Sequence, residues 1–193
     1  MPADRLFNVP NALTVARIPL TVLLCAFIEY RLWPAALVTF ALASSTDWID
    51  GWWARKFGQL STFGRVFDPL TDKIMIGGAF IFLIPVPESS MQAWMVAVVI
   101  GRELLITGVR GYVESLGKKF GADWFGKLKT ILQCLWLLAV LVYLTVRTQW
   151  GSEISLYGPV EILHYGLLYA MLAATVLSGL QYIWKAYPLV YGS

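Results

Sequence analysis

The sequence predicts an all-α, polytopic membrane protein with six transmembrane helices, and three observations predict it. Hydrophobic residues make up 58% of the 193 positions, against about 45–50% in an ordinary globular chain. Charged residues make up 14%, where about 25% is usual. The apolar residues also gather into blocks separated by short polar stretches, the pattern of a chain whose solvent is lipid. The length suits one domain, residues 1–193, and leaves little for a second. A net charge of +3, with no basic run interleaved with aromatics, argues against a nucleic-acid partner.

The blocks follow in order. Residues 18–30 form the first. A span needs about 20 mostly apolar residues, so this block must extend back into residues 6–17. Residues 34–46 form the second, set off from the first by Arg31. Residues 74–85 and 91–106 form the third and fourth, and Pro85-Val86-Pro87-Glu88-Ser89-Ser90 between them reads as a loop. Residues 131–146 and 163–184 complete the set. On the last block, Gly166, Ala170, Ala173, Ala174, Ser178 and Gly179 allow close helix packing, within a protomer or across a dimer. Aromatic residues at 15%, nine of them tryptophan, suit belts at the two membrane faces.

Ala41-Leu42-Ala43 has the form of a signal-peptide cleavage site. It lies too far past the start of the apolar run, and Arg31 breaks that run, so no cleaved leader is expected. Cys25 and Cys134 sit far apart in apolar blocks without a CxxC, and are expected to pack as small hydrophobes. His164, the one histidine, can build neither a metal site nor a triad by itself and is expected to be structural or interfacial. Threading six spans puts all the lysines and arginines on one side except Arg31 and Arg147. The rich side is then cytoplasmic, with both termini.

Charged residues at the edges of spans are costly and are functional candidates by default. Four carboxylates, Asp47, Asp50, Asp68 and Asp72, fall within 26 residues. The first two are three apart and the last two four apart, so on helices each pair shares a face. The stretch 56–64, with Gly58 and Gly64, is expected to turn the chain so that the faces meet. Carboxylates this crowded stay ionised together only if cations neutralise them, and an all-oxygen set suits Mg²⁺ or Mn²⁺. Two such ions about 3.5–4 Å apart can stabilise both the attacking and the leaving oxygen of a displacement at phosphorus. Gly51 and Ala54 share the carboxylate face and leave room for a bulky ligand such as a nucleotide. Two other readings stay open on this ground: salt bridges to Arg55, Arg65 and Lys73, or a path for ions or protons.

The pattern Asp47-x2-Asp50-Gly51-x2-Ala54-Arg55-x8-Gly64-x3-Asp68-x3-Asp72 resembles the signature of the CDP-alcohol phosphotransferase family at all eight fixed positions. The resemblance implies six membrane helices, usually in a homodimer, and a site at the cytoplasmic side that binds CDP and two divalent metal ions. It implies cleavage of the pyrophosphate of a CDP-linked substrate by an acceptor hydroxyl, with CMP leaving. Asp47, Asp50, Asp68 and Asp72 then resemble the metal ligands, with Asp72 also in the place of the base. Gly51, Ala54, Arg55 and Gly64 match positions that shape the nucleotide pocket. An ordinary aspartate, pKa about 3.9, is a weak base, so the metal ions must contribute heavily.

Asn11, Thr14 and Arg17 recur every third residue and share a face of the entering helix. The resemblance implies that this face helps close the nucleotide site, and a plain helix start with an N-cap at Asn11 is the other reading. Three segments resemble the bacterial phosphatidylglycerophosphate synthase branch of the family: residues 8–17, 101–110 and 126–133. They imply CDP-diacylglycerol as donor, sn-glycerol 3-phosphate as acceptor, and the bacterial cytoplasmic membrane as location. A sibling acceptor such as phosphatidylglycerol, inositol phosphate or serine is the alternative. A phosphorylated acceptor needs cations, and Arg102, Arg110, Lys127 and Lys129 are candidates, with Glu103 to orient one of them. Basic residues in cytoplasmic loops can also serve lipid head groups alone, the reading favoured for Lys118 and Lys119. Beyond residue 140 the sequence carries no signature of this kind.

Overall fold

The computed structural model describes the backbone of residues 9–57, 62–117, 124–151 and 157–191, and their side chains except at 9–11, 13, 47–57, 62–66 and 189–191. The described residues form six α-helices: α1 Val9–Glu29, α2 Trp33–Phe57, α3 Thr62–Leu83, α4 Ala93–Ser115, α5 Trp124–Trp150 and α6 Tyr157–Tyr191. Each apolar block lies on one helix, and the helices run on into the polar flanks. That extension corrects two expectations. Asn11 is inside α1, two residues past its start, so it is not an N-cap. Gly64 lies in the first turn of α3 and not in the turn between helices. The expected loop holds a short 3-10 turn, Pro87–Ser89, where the buried Ser89 hydroxyl donates to the Leu83 and Val86 carbonyls, both at 2.8 Å.

The helix ends show how the chain reverses. Past α1, Leu32 N–H donates to the Phe27 carbonyl at 2.8 Å and Arg31 N–H to the Ile28 carbonyl at 3.0 Å. Arg31 itself is left-handed, with φ of 56°. This pair of bonds closes the last carbonyls of α1 and aims the chain into α2, a turn that usually takes glycine. Gly117 after α4 and Gly151 after α5, with φ of 73° and 71°, supply that geometry at the ends of their helices.

Helix α1 packs on α2 and α3, α2 reaches α5, α5 packs on α6, and α6 on α4. Contacts from α3 to α4 and α5 are sparser, and the gap among those three helices matters for the site. Leu24, Ile28, Phe80, Leu137, Leu144, Leu168 and Met171 are fully buried around Trp136. The Trp136 ring meets Phe80 edge to face at 5.0 Å. His164 is packed in the same core and not at an interface: it has no exposed surface and stacks on Tyr143, with centroids 5.1 Å apart. Cys25 and Cys134 are half-buried thiols outside any disulfide, as expected of small hydrophobes. Of the small residues on α6, Ala174, Ser178 and Gly179 are buried and the others face outward.

Helices α5 and α6 are each long and apolar enough to cross a membrane. The outer surface is apolar as well: Val22, Leu104, Ile162 and Trp184 are 64, 70, 74 and 82% exposed. Water does not favour a surface of this kind, and such surfaces mark contact with lipid or with another apolar partner.

Trp136→Ala is expected to lower stability by about 3–5 kcal/mol, the range for emptying a buried tryptophan site. Thermal unfolding of the detergent-solubilised protein measures it, and a loss under about 1 kcal/mol would contradict the central place given to this ring.

Candidate functional site

Thr14 and Arg17 lie one turn apart on α1 and are both buried, Arg17 completely. Because α1 packs along α3, the two side chains meet the pair of aspartates on that helix. The Thr14 hydroxyl donates to Asp68 Oδ1, and Arg17 Nη1 donates to Asp72 Oδ1 at 2.7 Å. Asp72 remains about a third exposed. The backbone supports both sides of the seam. Thr21 donates to the Arg17 carbonyl at 2.8 Å, and Thr71 to the Asp68 carbonyl at 3.0 Å. The aspartate face on α3 and the threonine–arginine face on α1 are thus one locked surface.

Asp47, Asp50, Gly51, Ala54 and Arg55 stand on α2 and Gly64 on α3, but their side chains, with those of Asn11 and Arg65, lie outside the described residues. Lys73, considered as a partner for the aspartates, turns elsewhere. Its ammonium donates to Thr107 Oγ1 at 2.7 Å and lies 4.0 Å from Glu103.

Lys73 belongs instead to a second cluster. Arg102, Glu103, Ile106, Thr107 and Arg110 on α4, Lys127 and Lys129 on α5, and Tyr182 on α6 line a cavity of about 560 Å³ with Lys73. Glu103 pairs with Lys129 and lies 3.3 Å from Arg102. Arg110 Nη2 donates to the Tyr182 hydroxyl at 2.8 Å. Both guanidiniums sit over the Tyr182 ring, at 5.4 Å for Arg102 and 5.7 Å for Arg110, within cation–π range. Two glycines make this packing possible. A Cβ at Gly179 would come within 3.2 Å of the Arg102 stem, and one at Gly126 within 3.3 Å of the Tyr182 hydroxyl.

Three N–H donors in the cluster, Arg102 Nε and Nη2 and Arg110 Nε, are buried without a hydrogen-bond partner among the described residues. Unsatisfied buried donors are rare, and these belong to two arginines that line a cavity with a strong excess of positive charge. The chemistry fits a multivalent anion with several acceptor oxygens. Arg102, Arg110 and Lys129, expected from sequence, are brought together here. Lys127 lines the same cavity from an exposed position, and Lys118 and Lys119 lie outside the described residues. Sequence reasoning missed Tyr182, which stands 72 residues from Arg110 in the part of the chain without a signature. It also missed Lys73 as a member.

A third feature connects the other two. A groove of about 510 Å³ runs between α3, α4 and α5 from Asp72 past Ile74, Gly77 and Gly78 to Ile81, with Val99, Ile100 and Leu104 opposite. Its lining is largely apolar. Pro69, Lys73, Glu103, Lys129 and Thr130 line both this groove and the cationic cavity, so the two share one wall.

The family model described as CDP-alcohol phosphatidyltransferase matches residues 7–184. A protein of Bacillus subtilis named CDP-diacylglycerol–glycerol-3-phosphate 3-phosphatidyltransferase is 36% identical over 153 residues, 72% of this chain and 78% of its own. Proteins of the same name are 32% identical in Pseudomonas fluorescens, over 94% of this chain and 91% of the relative. In Shigella flexneri the figures are 32% identity, 92% of this chain and 93% of the relative.

The α1–α3 seam gives a prediction of its own. Removing one partner of a well-buried ion pair costs about 3–5 kcal/mol, and the partial exposure of Asp72 reduces that here to about 1–3 kcal/mol. Arg17→Ala is expected to lose that much in chemical denaturation. Hydrogen exchange should rise first along α1 near residues 14–21, and unchanged protection there would count against the seam.

Proposed function

This chain belongs to the CDP-alcohol phosphatidyltransferase family, and from that premise we propose that it is a phosphatidylglycerophosphate synthase, an enzyme that moves the phosphatidyl group of CDP-diacylglycerol to sn-glycerol 3-phosphate and releases CMP. The observation that carries this reading is the wall shared by the apolar groove and the cationic cavity. One opening suits a lipid tail and the other a phosphate dianion, and Asp72 lines the groove.

The four aspartates, Asp47, Asp50, Asp68 and Asp72, would hold two divalent ions, Mg²⁺ or Mn²⁺. Two features of Asp68 and Asp72 support the fit: they share a face of α3, and both are only partly exposed. When bound, the ions would neutralise the pyrophosphate and the charge that develops at phosphorus. Thr14 and Arg17 fix Asp68 and Asp72 in place, and with Asn11, Gly51, Ala54, Arg55 and Gly64 they form the nucleotide side of the site. Arg102, Arg110, Lys127 and Lys129 hold the acceptor phosphate, the arginines through paired N–H donors. The acceptor hydroxyl forms the new bond to the phosphorus that carries the lipid, the bond to the CMP oxygen breaks, and Asp72 takes the hydroxyl proton. Holding both reactants in place supplies much of the acceleration, because it turns a bimolecular encounter into a step within one complex.

In this reading all six helices span the bacterial cytoplasmic membrane as a multi-pass, single-domain protein, with both termini and the site at the cytoplasmic side. The excess of lysine and arginine on that side supports the orientation. The donor's tails then enter from the bilayer and the acceptor from the cytoplasm. A homodimer is the expected assembly.

Purified protein supplied with CDP-diacylglycerol, Mg²⁺ or Mn²⁺, and one acceptor at a time is expected to release CMP with sn-glycerol 3-phosphate. Release with phosphatidylglycerol, inositol phosphate or serine instead would overturn the acceptor, and no release with any of them would overturn the enzyme. Asp68→Asn and Asp72→Asn are each expected to lower kcat by about a thousandfold or more, as losing a group that acts only in the transition state does.

Arg110→Ala should instead act on acceptor saturation. Loss of a charge-assisted contact is expected to raise KM for glycerol 3-phosphate by about ten- to a hundredfold, with little change in KM for CDP-diacylglycerol. Equal changes in both constants would remove Arg110 from the acceptor pocket.

A further inference from the structure

We propose that Glu103 is a placeholder for the acceptor's phosphate: it neutralises the cationic cavity while that cavity is empty and yields its partners when the phosphate enters. The proposal deepens the reading above and rests on it. Among the described residues Glu103 is the one carboxylate lining the cationic cavity, and it touches three of the cations there. It pairs with Lys129, lies 3.3 Å from Arg102 and 4.0 Å from Lys73. Lys129 and Arg102 are mostly buried, with side chains 6 and 9% exposed, and Glu103 is 14% exposed. Positive charges this close and this dry repel strongly, and without a counter-charge the pocket would splay.

One carboxylate is an incomplete partner for these groups. It carries a single charge against Lys73, Arg102, Arg110 and Lys129, and it leaves Arg102 Nε and Nη2 and Arg110 Nε without acceptors among the described residues. A phosphate monoester carries nearly two charges and three acceptor oxygens, so it can satisfy the idle donors and compete for Lys129 as well. A monoanion offers no more charge than Glu103 already supplies. Glu103 therefore sets a threshold: weakly charged solutes leave the pocket closed, and a phosphate dianion opens it. Its position on the wall shared with the lipid groove means that the displaced carboxylate moves at the boundary where the two substrates meet.

The sign of the effect separates this role from a merely supporting one. In the full-length protein in detergent, with CDP-diacylglycerol saturating, Glu103→Gln is expected to lower KM for sn-glycerol 3-phosphate by about fivefold, because a competing unit charge is gone. Inhibition by sulfate, a dianion without a reactive hydroxyl, should strengthen by a similar factor, and KM for CDP-diacylglycerol should stay put. Glu103→Asp keeps the charge but reaches less far, and should shift both acceptor constants the same way by a smaller factor. It gives the answer if the glutamine variant does not fold. An unchanged or raised KM for glycerol 3-phosphate in the folded variants, with unchanged sulfate inhibition, overturns the proposal. Failure of the wild-type protein to release CMP with glycerol 3-phosphate is a different result, which overturns the acceptor assignment itself.

Discussion

A guanidinium with no exposed surface has to find its counter-charge inside the protein, and for Arg17 that counter-charge is Asp72, 2.7 Å away on α3. An isolated ion in such surroundings would be penalised by several kcal/mol. The pair therefore ties α1 to α3 at one angle and one height. Thr14 repeats the link one turn earlier at Asp68. Most else at the site follows from this seam. It fixes the aspartate face of α3 against α1, while the side of α3 toward α4 and α5 is thinly covered. The groove below Asp72 is the space that thin cover leaves.

The cationic cavity meets the reverse problem, an excess of like charge, with different means. The Tyr182 ring lies within cation–π range of two guanidiniums, and its hydroxyl accepts a hydrogen bond from Arg110. Aromatic faces attract cations by their quadrupole without bringing a negative charge of their own. Tyr182 can hold the arginines together and still leave the net charge high. Glu103 holds the other half, Lys129 and Lys73, with a full charge. A permanent neutral partner on one side and an exchangeable anionic one on the other keep the cluster intact when empty and attractive to phosphate.

Much of this was legible in the sequence, and the part that was not has a physical reason. The helices could be read because apolar blocks in a lipid-solvated chain are continuous, and the aspartate spacing because residues three and four apart share a helix face. The boundaries were harder. Asn11 and Gly64 are residue types that often mark helix ends, yet here they stand inside the first turns of α1 and α3. Lys73, next to Asp72 in the chain, was an obvious partner for the aspartates. A helix turns about 100° per residue, so neighbours in sequence point apart, and Lys73 reaches α4 instead. Tyr182 could not have been found by spacing. Its meaning comes from α6 crossing α4, a contact between residues 72 apart, and a lone aromatic on an apolar span looks like any other.

The same geometry meets what the proposed function requires, that a lipid substrate and a small dianion share one site. A groove that accepts an acyl chain must be apolar, and a pocket that accepts phosphate must be cationic and partly dry. Placing the two side by side would normally be unfavourable, since charges lose solvation beside an apolar wall. The shared wall of Pro69, Lys73, Glu103, Lys129 and Thr130 resolves this. Its lysines can lay their stems along apolar surface while their ammonium groups meet Glu103, so each group on the boundary has an apolar side and a polar one. The reacting phosphorus, joined to a lipid on one side and approached by a charged acceptor on the other, needs a boundary of that kind. Asp72, next to Lys73 in the chain, lines the groove beside that wall.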